Sequence, residues 1–98
     1  MSTKQAIDNQ NRIVIAREIR KNLSRSLQPG KTCEVQICSE QLTQTMLKVP
    51  KNYKTLLYLA ISDVVIQLSG RFQELQEKVR ISVKVSKEGN LVFRLTPV

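Results

Sequence analysis

The sequence predicts an α+β fold: a small antiparallel sheet of about three strands, packed against a long central helix and an N-terminal amphipathic helix. Three observations predict it. An apolar block with helical spacing occupies 53–78, a shorter amphipathic stretch occupies 11–27, and two alternating runs, 80–86 and 91–96, flank a turn sequence. The 98 residues, 41% of them hydrophobic, are expected to form a single domain over 1–98. This domain should fold without stabilisation by disulfides or metal ions.

The first helix is predicted over Asn11–Leu27, after a polar and flexible N-terminus at residues 1–10. Pro29 and Gly30 are the signals that end it. Its apolar positions recur every three or four residues, as expected for a helix that packs on a core. They are Ile15, Ala16, Ile19, Leu23 and Leu27.

A basic row is predicted on the opposite side of this helix. Arg17, Lys21 and Arg25 follow one another at four-residue spacing. Like charges at this spacing destabilise an isolated helix by roughly 0.2–0.5 kcal/mol per pair. The row is consistent with a solvated surface and equally with a surface that contacts an anion.

Residues 32–38 alternate as a strand that turns Cys33, Val35 and Ile37 to one face. Ser39 is the expected N-cap of a short helix at 40–48. Cys33 and Cys38 would point to opposite faces of the strand, which disfavours a bridge between them. Two reduced thiols indicate a cytoplasmic protein.

The central helix is predicted over Tyr53–Lys78, with a main apolar stripe made by Leu57, Ala60, Ile61, Val64, Leu68, Phe72, Leu75 and Val79. Further apolar residues, Leu56, Leu59, Val65 and Ile66, fall outside this stripe, so the first half is apolar nearly all round. Such a helix is expected to pack against other protein segments on more than one side. We therefore expect a homodimer, or a hetero-complex, with Leu56, Leu59 and Ile66 in the interface.

Two other structures compete for this block. The first is a strand at Thr55–Ile61 followed by a helix capped by Ser62. It is an alternative because periodicity alone does not distinguish a strand from a helix in a short apolar run. A membrane span needs about 20 apolar residues. Polar residues interrupt the block, which argues against a span; they are Ser62, Asp63, Gln67 and Ser69.

The two C-terminal runs predict a β-hairpin around Lys87-Glu88-Gly89-Asn90. A loop of Glu88, Gly89 and Asn90 would pair Val85 with Phe93, Val83 with Leu95 and Ile81 with Pro97, which puts the apolar residues on one face. The same register sets Lys84 opposite Arg94 on the outer face, near Arg80. Like charges directly opposite each other are unfavourable, so the register implies either screening by water or a bound anion.

The charge and the missing residue types limit the function. Sixteen Lys and Arg against eight Asp and Glu give a net charge of +8, which favours a polyanionic partner. The chain has no His, the commonest general base, and two Cys without His do not complete a four-ligand zinc site. We therefore expect no catalysis, no metal and no cofactor.

Two functions fit these patterns. The first is a small cytoplasmic protein that binds DNA or RNA through phosphates, with little sequence specificity. The expected contacts are Arg17, Lys21, Arg25, Arg80, Lys84 and Arg94. The second is an adaptor subunit whose basic face docks an acidic protein partner and whose apolar helix mediates assembly.

Overall fold

The computed structural model describes residues 3–28 and 30–98. The helices are α1 (Thr3–Ser26), α2 (Ser39–Thr43) and α3 (Tyr53–Glu74), and the strands are β1 (Cys33–Ile37), β2 (Val79–Val85) and β3 (Leu91–Pro97). The predicted α+β class is confirmed: a three-stranded antiparallel sheet with a C-terminal hairpin packs against a long central helix and an N-terminal helix.

The sheet has the order β1-β3-β2, so the last strand of the chain is the central one. Both of its neighbours are antiparallel to it. The inner face of β3 is covered over most of its length, since Leu91 and Phe93 are 0% exposed and Leu95 is 2% exposed. The hydrophobic core is therefore centred on β3.

The two long helices form one layer on the inner face of the sheet. They supply Ile15, Ile19 and Leu23 from α1, and Leu57 and Val64 from α3, to the same core as the inner residues of β1 and β3. Arg12 contacts Asp63 and, farther along both helices, Arg20 contacts Gln67. The two helices therefore run in the same direction.

Several predicted boundaries differ from the structure. The helix reading of the central block is confirmed and the strand reading of 55–61 is wrong, although α3 ends at Glu74. The first helix is longer than predicted, because it begins at Thr3 and not at Asn11, so residues 3–10 belong to α1. Here the Asn52 side chain donates a 3.2 Å hydrogen bond to the Asp8 carboxylate, which ties this segment to the start of α3. The predicted stop at Pro29 lies outside the described residues.

The short helix α2 is also smaller than predicted. It ends at Thr43, and Ser39 is its first residue and Cys38 its N-cap. The free N–H groups at its start are satisfied by side chains. Gln41 accepts from the Cys38 N–H at 2.9 Å, and Asn90, from the hairpin turn, accepts from the Ser39 N–H at 2.8 Å. A residue distant in sequence thus fixes where α2 begins.

The predicted hairpin register is wrong by two residues. The structure pairs Val85 with Leu91, Val83 with Phe93 and Ile81 with Leu95. The Ser86 N–H donates to the Asn90 carbonyl at 2.9 Å, which leaves 87–89 as the loop. A three-residue loop needs a positive φ at its third position, and Gly89 takes that position with φ +83°. The shift is even, so every side chain keeps its predicted face.

A Schellman turn ends α3. The Glu77 N–H donates to the Phe72 carbonyl at 2.9 Å and the Gln76 N–H to the Gln73 carbonyl at 3.0 Å. Gln76 has φ +57°, a conformation that glycine usually provides at this position.

Replacing this residue by glycine is expected to stabilise the protein. Gln76→Gly should raise the free energy of unfolding by about 1 kcal/mol, because a left-handed L-residue costs about that much. Gln73→Gly, in the last turn of the same helix, should lower it by about 1 kcal/mol. Urea denaturation measures both changes. Destabilisation by Gln76→Gly would contradict the strained geometry of the turn.

Candidate nucleic-acid interface

Three cations come together on the outer face of the sheet. Arg80 and Lys84 flank Ser82 on β2, and Arg94 of β3 lies directly opposite Ser82. Arg80 and Lys84 are therefore each diagonal to Arg94, and diagonal neighbours on adjacent strands are about 7–8 Å apart. All three side chains are exposed. We name Arg80, Lys84 and Arg94 the sheet cluster.

The corrected register changes the charges around the sheet cluster. Lys84 lies opposite Val92, so the predicted opposition of Lys84 and Arg94 is wrong. Arg94 lies between Ser82 on one side and Glu34 of β1 on the other. Among the described residues, no salt bridge within 4.0 Å involves the three cations. Their charges therefore face solvent.

The second predicted group lies on the other side of the molecule. Arg17, Lys21 and Arg25, which we name the helix row, are exposed on α1 opposite its buried residues. The core separates α1 from the outer face of the sheet, so the six cations form two surfaces and not one. Lys21 Nζ lies 3.9 Å from a Glu18 carboxylate oxygen, which offsets part of the charge of this row.

The three residues predicted for an oligomer interface differ in exposure: one is buried and two are exposed. Leu56 is 4% exposed and belongs to the core of the single chain, so it is covered without a second copy. It lies seven residues before Asp63, on the flank of α3 that contacts α1, and the periodicity of α3 alone does not reveal which element lies against this flank. Leu59 and Ile66 are 39% and 70% exposed. Ile66 borders a shallow groove between α1 and α3, with Ile13 on the other wall.

By length and composition alone, α3 is apolar enough to cross a membrane. One such helix is weak evidence, because the core helix of a globular domain has the same properties. Here its buried residues include Leu57, Ala60 and Val64, which pack into the core.

Sequence reasoning missed an ion pair that joins the two helices. The Arg12 guanidinium donates two 2.7 Å hydrogen bonds to the Asp63 carboxylate. These bonds hold the pKa of Asp63 below its ordinary value of 3.8. The partners are 51 positions apart, so no local pattern indicates the pair.

This pair predicts a dependence of stability on pH. The pKa of Asp63 is lower in the folded state, so its contribution is present above about pH 3.8 and lost as the pH falls through the folded value. The contribution is small because both side chains are about one-third exposed. Wild type should therefore be more stable than Asp63→Asn at pH 7, and this difference should be smaller at pH 2. A difference that is the same at both pH values, measured by urea denaturation, would contradict the assignment.

The two cysteines have different environments, and both are free thiols. Cys33 is buried at the start of β1, and its sulfur accepts a 3.3 Å hydrogen bond from the Gln28 N–H. Cys38 is exposed. No group of three or more His, Cys, Asp or Glu residues that could hold a metal ion occurs within 3–28 and 30–98.

Comparison with known proteins finds no significant match to this chain among protein-family models, curated proteins or solved structures.

Proposed function

We propose that this chain is a small cytoplasmic protein that binds nucleic acid through phosphates, without catalysis and with little sequence specificity. The observation that carries the proposal is the convergence of Arg80, Lys84 and Arg94 around Ser82 on an open sheet face. Cations grouped at this spacing can contact neighbouring phosphates of one strand. Contacts of this kind supply affinity without reading the bases.

The sheet cluster fits this function better than the helix row. Its cations are arranged in two dimensions, and two hydroxyl groups, from Ser82 and Thr96, lie among them as further phosphate donors. The helix row is a single line, and Lys21 is already close to Glu18. We therefore assign the phosphate contacts to the sheet and treat the helix row as solvated surface.

The side chains on the outer face favour backbone contacts over base recognition. Proteins that read single strands stack bases on aromatic side chains of a sheet. On this sheet the aromatic residue is Phe93, which lies on the inner face and is 0% exposed. Binding should therefore depend weakly on base sequence.

Two variants of equal charge test the assignment. Replacing Arg80, Lys84 and Arg94 by Gln removes three charges from the sheet, and replacing Arg17, Lys21 and Arg25 by Gln removes three from α1. Each variant lowers the net charge from +8 to +5. Fluorescence anisotropy across a salt series should show steep salt dependence for wild type, for duplex and single-stranded DNA and RNA. The sheet variant should lose about 2.7 from the log–log slope, at about 0.9 per lost contact with duplex DNA.

The helix variant serves as the matched control. It should keep most of the wild-type affinity and slope. Equal losses in the two variants would mean that net charge alone drives binding and would overturn the sheet assignment. A larger loss in the helix variant would move the interface to α1. No binding by wild type at low salt would overturn nucleic-acid binding itself.

A second candidate function is favoured by a separate observation. Ile13, Leu59 and Ile66 are 49%, 39% and 70% exposed on the helical layer. This surface suits an adaptor subunit that assembles with another protein, while its basic face docks an acidic partner. Assembly through apolar surface persists at high salt, unlike phosphate binding. If assembly in sedimentation velocity at high salt is abolished by a Leu59→Ser and Ile66→Ser double variant, the adaptor function is favoured.

A further inference from the structure

The two edges of the sheet differ in how well their inner faces are covered. On β1 the inner residues Cys33, Val35 and Ile37 are buried. On β2 all four inner residues are only partly buried, and α3 makes sparse contact with this strand. They are Val79, Ile81, Val83 and Val85. The layer of helices thus buries the inner face of the sheet at β1 and covers it only in part at β2, which we name the open edge.

The open edge is also free to form backbone hydrogen bonds. Among the described strands, β2 pairs with β3 alone, so one row of its N–H and C=O groups faces outward. An edge of this kind can accept another strand. Seven residues, Val79–Val85, are long enough for a stable pairing.

The sequence of β2 is complementary to itself. If a second copy of β2 lies antiparallel with Ser82 opposite Ser82, Ile81 pairs with Val83 and Val79 with Val85. Every inner pair then joins two β-branched side chains, which pack well across strands. A twofold-symmetric interface requires this self-complementarity. All four inner residues of β2 are β-branched, so a second copy of the chain fits this edge.

Electrostatic repulsion opposes this pairing. The same register sets Arg80 opposite Lys84 of the second copy, and the twofold axis repeats the contact. Like charges directly opposite each other are destabilising, and cations on an edge strand commonly prevent association. A polyanion lying across the outer face would neutralise these charges.

We infer that β2 pairs with β2 of a second copy when a nucleic acid covers the outer face. The product is a six-stranded sheet in which two sheet clusters form one continuous basic surface, so each copy completes the site of the other. This inference rests on the proposed function. Linkage requires that nucleic acid favours dimerisation by the same factor as dimerisation favours nucleic-acid binding.

A designed cross-link tests the pairing. The variant Ser82→Cys is made in a Cys38→Ser background, which removes the exposed thiol. Residues directly opposite each other on antiparallel strands have Cα atoms about 4.5–5.5 Å apart, which lies within the range of a disulfide. Diamide oxidation followed by non-reducing electrophoresis should show a covalent dimer. Duplex DNA should increase its rate of formation at least tenfold.

The control variant is Gln36→Cys in the same background, on the outer face of the β1 edge. It should form little dimer with or without DNA, because the inferred interface lies at the other edge. If wild type binds DNA but Ser82→Cys cross-links no faster than Gln36→Cys, the pairing is overturned while the proposed function stands. Rapid cross-linking that DNA does not accelerate would overturn the coupling. Wild type that does not bind DNA in the anisotropy assay would overturn the proposed function and the coupling with it.

Discussion

Replacing Phe93 by alanine is expected to lower the free energy of unfolding by about 3–5 kcal/mol, the usual cost of truncating a buried phenylalanine. Phe93 is 0% exposed on the inner face of the central strand, where it pairs with Val35 on one side and Val83 on the other. Both helices and the rest of the sheet pack on the core around it. A cavity at this position therefore weakens contacts between both layers. Urea denaturation followed by circular dichroism measures the change.

Val92 provides the control for Phe93. It is the preceding residue of the same strand and lies on the outer face, partly exposed. Val92→Ala should cost about 1 kcal/mol or less, because little buried volume is lost. If Phe93→Ala costs no more than Val92→Ala, the core is not centred on β3 as described.

Gly89→Ala is expected to lower the free energy of unfolding by about 1–2 kcal/mol, the cost of a left-handed L-residue. Gly89 has φ +83°, and a Cβ there would lie 3.4 Å from a Tyr53 ring carbon and 3.6 Å from the Ser39 Cβ. These distances are ordinary van der Waals contacts, so the cost comes from the backbone conformation. Thermal and urea denaturation both report the change.

Gly30 provides the control for Gly89. It has φ +73°, and nothing lies within 4 Å of the position that a Cβ would take. Gly30→Ala should therefore cost only about 1 kcal/mol, from backbone conformation alone. A much larger cost at Gly89 than at Gly30 would contradict the ordinary contacts of the added Cβ with Tyr53 and Ser39.

The elements of the fold could be predicted because each has a local cause. The apolar spacing of α1 and α3 and the alternation of β1, β2 and β3 are properties of neighbouring residues. The hairpin register was also encoded locally, in the position of Gly89, but the prediction placed this glycine second in the loop and not third. A positive φ at the third loop position is the signal that would have given the correct register.

The arrangement of the candidate site depended on contacts between distant segments. The exposure of each of the six cations follows from its own helix or strand, and the prediction gave their faces correctly. Their division into two surfaces follows from the order of the layers. Leu56 was misplaced for the same reason, because its burial depends on where α1 packs against α3. No periodicity within one segment contains this information.

The central place of β3 has a consequence for synthesis on the ribosome. Cys33 pairs with Leu95, and both outer strands depend on residues 91–97 for their hydrogen bonds. The sheet therefore cannot begin to form until these residues have left the exit tunnel. Pairing between segments so far apart also slows folding, because the chain must close a long loop first. During that interval α1 and α3 can already be helical. Their apolar faces, which later pack on the sheet, are then the surface that a nascent-chain chaperone would need to cover.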